Sequence, residues 1–493
     1  MPNRITICSL LSAALAVAPV RAAAQAVTVC ASIGVDGQPA NNNCREAAVS
    51  ADGRFVAFTS SASNLVSGTQ TLRREVFLRD MQTGSTVRIS EPLAGGTANA
   101  ASYYPSISEH GRFVAFTSDA TNLVPGDTNN VTDVFIRDTA LNTLERVSVN
   151  SLGEQANNAS YKPSISADGR LIAFWSLASN LVADDTNNHA DVFVRDRYST
   201  LTKRVSISWD ELTPNANQAS NNPVISADGR FVAFLSLASN IVQNDTNGAQ
   251  DVFVRDLTQN TTVRASVSFN FDEGDRSSGD FGHALSGNGR YLAFSSFATN
   301  LVEADTNNTV DIFIRDLVAE TTFLASLTTE GWHSSGWAHN PAINHAGDRL
   351  AFDSVTSDYV PYDSNGVSDI FVRDRARLFT ERVSVSATGL PSSYASLYPV
   401  MSADGRYVAF EADARAFFPG TVVTRTQIFL RGPLPLDPTY SADELRTAIR
   451  IAAGNRSATT SEMMNYCVAA GAGIDLMDAV RLCRMAAGLD PKP

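Results

Sequence analysis

The sequence predicts an all-β repeat protein carrying a small helical segment at its C-terminal end, and three observations carry that prediction. A turn glycine recurs as Gly53, Gly111, Gly169, Gly229, Gly289, Gly347 and Gly405, at spacings of 58, 58, 60, 60, 58 and 58 residues. Each copy reads as strands, rich in Val, Ile and Phe and separated by Asp-Gly and Asn/Asp turn signals, with no helical periodicity. Its second strand is apolar on both faces, Phe231 and Ala233 pointing one way and Val232 and Phe234 the other. A strand buried on both sides needs a sheet above and a sheet below. Radially stacked four-stranded blades supply that, so the expected fold is a seven-bladed β-propeller.

Taken in order, residues 1–26 read as a secretory signal. Arg4 gives the positive start, 5–20 the apolar core, and Ala24-Gln25-Ala26 (or 22–24) the small-residue cleavage site. Ser9, Ser12, Pro19 and the short length argue against a membrane span, and Cys8 lacks a lipidation context. The expected product is a soluble exported protein, periplasmic or extracellular, without membrane insertion. Export leaves four cysteines in two local pairs, predicting the disulfides Cys30–Cys44 and Cys467–Cys483, with reduced pairs or metal thiolates as the alternative. Loops of this length stabilise by roughly 3 kcal/mol in the chain-entropy model. The 38 basic and 51 acidic groups give a formal net charge of −13, which disfavours nucleic acid and anionic lipid as partners.

Residues 27–432 hold the repeats. In the third copy a short strand, 163–166, meets the SADGR turn and 171–174 follows. After an Asn/Asp loop come a third strand, 191–196, and a fourth, 203–208. The run SADGRFVAF…DVFVRD resembles the TolB-type β-propeller repeat, and the resemblance extends over nearly every copy. The fifth copy reads SGNGRYLAF and the sixth NHAGDRLAF, which alters the turn and spares the strands. Six blades is what the family implies, whereas the chain ends here imply seven. Residues 27–30 look like a fourth strand and 427–431 like a third, so the first strand completes the last blade. Two loop classes, second-to-third and blade-to-blade, are long and emerge on one face, leaving the other face plain. Elaborated loops on a rigid scaffold are where binding usually resides.

Residues 433–493 open with a Gly/Pro linker and turn helical. AIRIAAG (448–454) recurs as LCRMAAG (482–488), and 473–489 resembles the second half of a dockerin, which implies a cohesin-like partner. With Asp478 last in the loop, Cys467, Ala469 and Gly471 stand where ligands belong, leaving Asp475 and Asp478; that loop is not expected to hold calcium. An unrelated helical tail is the alternative.

The strongest repeated functional signal is Asp-x-Asn-x-x-x-Asp: Asp127/Asn129/Asp133, Asp185/Asn187/Asp191, Asp245/Asn247/Asp251, Asp305/Asn307/Asp311 and Asp363/Asn365/Asp369. Three side-chain oxygens make a weak calcium site conceivable, since calcium takes six to eight ligands. The competing reading is turn chemistry, in which Asp and Asn bond their own backbone. The arginines and aspartates that end each third strand, such as Arg195 and Asp196, read as blade-locking pairs. Unrepeated aromatics crowd the loop before blade six: Trp332, His333, Trp337 and His339 are candidate ligand-binding residues for a glycan or a peptide. Other blade-to-blade loops add Tyr103, Tyr104, Tyr161, Trp209, Tyr394 and Tyr398. No GxSxG, P-loop, HExxH or CxxC motif occurs. The expectation is a non-enzymatic exported scaffold binding a protein or glycan, ahead of a carbohydrate-active lyase or glycosidase working in the propeller channel. A TolB-like partner of an envelope complex comes third.

Overall fold

The computed structural model describes residues 26–434, apart from 69–71, 211, 304, 306, 387, 419, 420 and 422. The signal segment and the C-terminal segment with Cys467 and Cys483 lie outside the described residues. Ala26–Leu436 is one compact unit. It contains seven antiparallel four-stranded sheets, and six of them are built from consecutive strands. In the seventh, β1 (Val27–Cys30) pairs with the strand Thr426–Gly432, Val27 opposite Gly432 and Cys30 opposite Phe429. The seven-bladed propeller closed by its N-terminal strand is therefore observed.

Strand limits differ from the sequence reading at two places. In blade three the first strand is Ser160–Ile165 and the fourth is Leu201–Arg204. The fourth strand stops at Arg204 because the chain then turns inward, with Val205 N–H donating to Val192 O. The first strand starts early because it carries a bulge, described below. A short helix, α1 (Ala414–Phe417), lies in the second-to-third loop of blade seven, capped by Asp413, whose side chain accepts from Arg415 N–H. Among the described residues no helix is long and apolar enough to cross a membrane.

The core is distributed over the seven interfaces between blades. One cluster joins Phe113, Val134 and Ile136 of blade two to Ile172, Phe174 and Phe193 of blade three. Another joins Ile428 and Leu430 of blade seven to Val56, Phe58 and Phe77 of blade one, which closes the ring. Every blade has one stacked phenylalanine pair between its second and third strands, such as Phe174–Phe193, with centroids 5.7–6.1 Å apart. Burying each such ring is worth roughly 1.5–3 kcal/mol.

The plain face is tied by the SADG turns. Backbone bonds of 2.9–3.3 Å run from Ala51 N to Glu109 O, Glu109 N to Ala167 O, Ala167 N to Ala227 O and Ala227 N to Gly287 O. Asn288 N, His345 N and Asp404 N continue them to His345, Ala403 and Ala51, completing the circle. At Gly111, φ is +74° and an added Cβ would meet the Phe55 ring of the previous blade at 2.5 Å, so this turn needs glycine twice over. The turn arginines clamp the end of the third strand: Arg54–Asp80, Arg112–Asp138, Arg170–Asp196, Arg230–Asp256 and Arg290–Asp316 are 2.6–2.7 Å apart. In blade six the arginine has shifted one place along its strand, yet Arg349 still reaches Asp374 at 3.3 Å. Arg195 does not pair with its neighbour Asp196; it donates to Asn150 O of the preceding loop.

Candidate functional site

The Asp-x-Asn-x-x-x-Asp loops sit on the elaborated face and share one geometry. The side-chain oxygens of Asn129, Asn187, Asn247, Asn307 and Asn365 are not turned toward the carboxylates. Each accepts from the N–H two residues on, at Val131, His189, Ala249, Thr309 and Val367, over 2.9–3.4 Å, which closes the turn. It is the amide of each that meets the last Asp. Asn129 donates to Asp133, Asn187 to Asp191, Asn247 to Asp251, Asn307 to Asp311 and Asn365 to Asp369, over 2.7–3.0 Å. The same amides also donate to a carbonyl of the following loop, at Ala156, Ala216, Gly274, Ser334 and Ser392. A donor aimed at the carboxylate is the opposite of what a cation between the two would require.

The other oxygen of that last Asp accepts from a serine hydroxyl at 2.5–2.7 Å: Ser148, Ser206, Ser266, Ser326 or Ser384. The first Asp and the last also face a guanidinium from the fourth strand of the same blade. Arg146 lies 3.0 Å from Asp127 and 3.3 Å from Asp133. Arg204 lies 3.4 Å from Asp185 and 3.7 Å from Asp191. Arg264 lies 3.1 and 3.4 Å from Asp245 and Asp251, and Arg382 lies 2.8 and 3.2 Å from Asp363 and Asp369. Blade one lacks the motif but keeps the pair as Glu75 and Arg88, 2.9 Å apart. In blade seven both partners are replaced by uncharged groups, Gln427 and Cys30. In four of the five motif loops, then, the carboxylates that the sequence offered to calcium already meet an internal cation. Among the described residues no three His, Cys, Asp or Glu side chains are arranged to hold a metal ion.

Blade five is the exception. Leu324 stands where its siblings have arginine, and His333 stands where Gln155, Asn215 and Glu273 contact that arginine. Burial raises the Asp311 carboxyl to about 6 and raises Asp305 too, with His333 opposing both. Tyr359 of blade six, fully buried in the place of a sibling leucine, has a hydroxyl with no hydrogen-bond partner among the described residues.

The Trp332–His339 group divides into two places. Trp332 is 63% exposed on the loop hairpin, and His333 turns toward the blade-five carboxylates. Trp337 and His339 instead gather with Phe281 of blade five, whose ring stacks on His339 at 4.2 Å. Cys30 and Cys44 are free thiols, so the expected bridge is not formed. Cys44 Sγ faces Ser60 Oγ at 3.3 Å, Cys30 Sγ lies 3.6 Å from Ser32 Oγ, and burial pushes the thiols up to about 12 and about 11.

The sequence reading missed the channel mouth as a unit. First strands of successive blades pack side by side around the axis. Each carries a bulge, marked by a shift in its register with the second strand. At the bulge sit Glu46, Tyr104, Lys162, Asn222, Gly282, Asn340 and Tyr398, all with φ between 48° and 105°. A proline follows in five blades, removing a ladder donor where the strand bends. Six of these seven residues are not glycine, and each costs of order 1–3 kcal/mol of backbone strain.

Neighbouring blades hold the bulges in place. Glu46 N–H donates to Glu411 at 2.8 Å, Tyr104 N–H to Glu46 at 2.9 Å, Lys162 N–H to Thr117 at 3.1 Å and Tyr398 N–H to Asp353 at 3.1 Å. Asp353 and Glu411 are 2% and 5% exposed, and burial raises both to about 7 against the pull of these donors. The mouth is acidic at blades six, seven and one, and cationic and aromatic at blades two and three.

No protein-family model matches the sequence, and no curated protein matches it. Among solved structures, the chain is similar to an oligogalacturonate lyase from Vibrio parahaemolyticus, with 10% identity and a TM-score of 0.50 over 83% of this chain and 96% of that one. It also matches the β-propeller domain of the Trilobed protease from Pyrococcus furiosus, with 10% identity and a TM-score of 0.48 over 79% and 93%. A putative TolB from Agrobacterium tumefaciens matches with 14% identity and a TM-score of 0.36 over 57% and 80%. At these identities the likeness is one of fold.

Proposed function

We propose that the chain is an exported, non-enzymatic binding scaffold whose elaborated face and channel mouth take a protein or glycan partner. One observation carries the reading. Positions that lock the blades repeat, as in the Arg–Asp clamps and the arginine-filled loops, whereas the seven strained positions at the channel mouth hold Glu, Tyr, Lys, Asn and Gly side chains. Repeats keep what the scaffold needs and vary what it does not, and strained backbone concentrates at functional sites. Exposed Trp332, Trp337 and Tyr104 on the same side add contact area. On this reading the Asp-x-Asn-x-x-x-Asp loops are arginine-clasped turns that stiffen the face, and calcium is not needed for them. The dockerin-like segment, 433–493, would serve as a second point of attachment.

The test is binding of the full chain to polysaccharides and to envelope proteins. The triple substitution Tyr104→Ala, Trp332→Ala and Trp337→Ala should abolish binding, and the plain-face substitution Arg170→Ala should spare it. Equal binding by the triple variant would overturn the placement, and turnover of a polysaccharide would overturn the non-enzymatic reading.

A further inference from the structure

The arginines of the loop clasps are matched to carboxylates. Arg88, Arg146, Arg204, Arg264 and Arg382 all face buried acids. Lys162, at the bulge of blade three, forms no ion pair among the described residues. Its ammonium donates to Asn222 at 2.9 Å and lies 5.2 Å from the centre of the Tyr104 ring. An ammonium has three donors, so this one keeps bonding capacity to spare. Burial draws its pKa down, and the more distant Glu46 carboxylate opposes the shift. On the paired second strand Trp175 stands opposite Tyr161, the residue before Lys162; its ring is stacked on Tyr161 at 4.6 Å, and its Nε1 is a buried donor with no acceptor among the described residues. Leaving such donors unmatched costs free energy unless something else supplies oxygens.

We propose that the channel mouth at blades two to four is a subsite for an anionic sugar residue, its acid oxygens accepting from Lys162 Nζ and Trp175 Nε1 and its ring walled by Tyr104 and Tyr161. The inference rests on the reading of this face as a binding surface and names its ligand class. A sugar suits the wall better than an extended peptide. A peptide gains most by adding a strand to an open sheet edge, and a bulge interrupts every first strand here, with a proline after it in five blades. Aromatic faces with a few directed donors are what a saccharide ring uses.

Calorimetry on the full chain tests it, with a uronate trisaccharide, its neutral methyl ester and a sulfated trisaccharide as probes. The acid should bind about tenfold or more tighter than the ester, the worth of a hydrogen bond to a charged group, and salt should erode the difference. Lys162→Met should abolish the preference, Lys162→Arg should retain most of it, and Trp175→Phe should weaken the acid form while keeping the stacked ring. A sulfated probe that binds best and depends on Lys162 would support the subsite with sulfate as the source of the charge. Equal binding of acid and ester, or acid binding untouched by Lys162→Met, would overturn it. If the ester binds equally and is lost in the Trp332/Trp337 variant, the binding face stands and the anion subsite falls. If nothing binds, glycan or protein, both fall.

Discussion

Removing Arg204 is the sharpest test of the arginine-clasped loop. Its side chain is 3% exposed, and it faces Asp185 and Asp191, which are 3% and 0% exposed. Lys or Gln would bring new polar groups, so Arg204→Met is the substitution of choice: it keeps the apolar stem and deletes the charge. Breaking one side of a buried ion pair costs about 3–5 kcal/mol. Here Asp191 keeps its bonds from Ser206 at 2.6 Å and Asn187 at 2.8 Å, so the lower end, about 3 kcal/mol, applies at pH 7.5. Burial and the neighbouring Asp191 hold Asp185 at about 6, and Arg204, with the Asn187 N–H, pulls it down. Without the arginine Asp185 titrates higher still, so at pH 5 it is protonated and the loss falls to about 1 kcal/mol. Urea unfolding of the full chain at the two pH values measures this, and Asp185→Asn in the Arg204→Met background should recover part of the loss. A change under about 0.5 kcal/mol at pH 7.5, or equal losses at both pH values, would refute the clasp. So would a calcium-specific rise in melting temperature of the unaltered protein, because binding to the folded state alone must raise it.

Two further outcomes follow from the same electrostatics. Leu324→Arg should complete the clasp of blade five: Asp311 is raised in the folded state, so its cost is felt as pH rises through about 6, and the variant should gain about 1 kcal/mol at pH 8 and little at pH 5 by urea unfolding. Asp353→Asn removes a carboxyl raised from 3.8 to about 7; the stability it lends is full below about 4 and lost as pH rises through 7, so the variant should flatten the stability profile between pH 4 and 7. A slope unchanged from that of the original protein would show that Asp353 titrates normally.

The fold was legible because its signals are local and repeated. Asp-Gly turns, two-faced apolar strands and the match between the two chain ends are all readable without tertiary information. The loop clasp was half legible. The acidic motif stood out, while its partner lies thirteen residues past the last Asp, at Arg146, Arg204, Arg264 and Arg382, a spacing that a search for cations would have found. The asparagines misled for a plainer reason. A sequence shows that Asn129, Asn187, Asn247, Asn307 and Asn365 each own an oxygen and an amide, and only the folded turn shows that the amide is the end facing the carboxylate. The channel mouth was hidden differently again. Glu46, Tyr104, Lys162, Asn222, Gly282, Asn340 and Tyr398 share a place in the repeat but no chemistry, and their common property is a backbone angle that composition does not announce. The Cys30–Cys44 bridge was inferred from nearness in sequence, yet in space each thiol is occupied with a serine hydroxyl.

The pairing of β1 with Thr426–Gly432 sets an order of events. The first strand of the propeller finds its partner only when some four hundred further residues exist, so blades one to six can assemble while the ring is still a gapped arc. Such distant pairing is intrinsically slow to form. Until it forms, the blade-seven wall of the mouth and the backbone circle on the plain face are both incomplete. A chain shortened by its last propeller strand should therefore keep most of its blades and lose the ligand-ready mouth, which makes the final stitch the event that matures the protein.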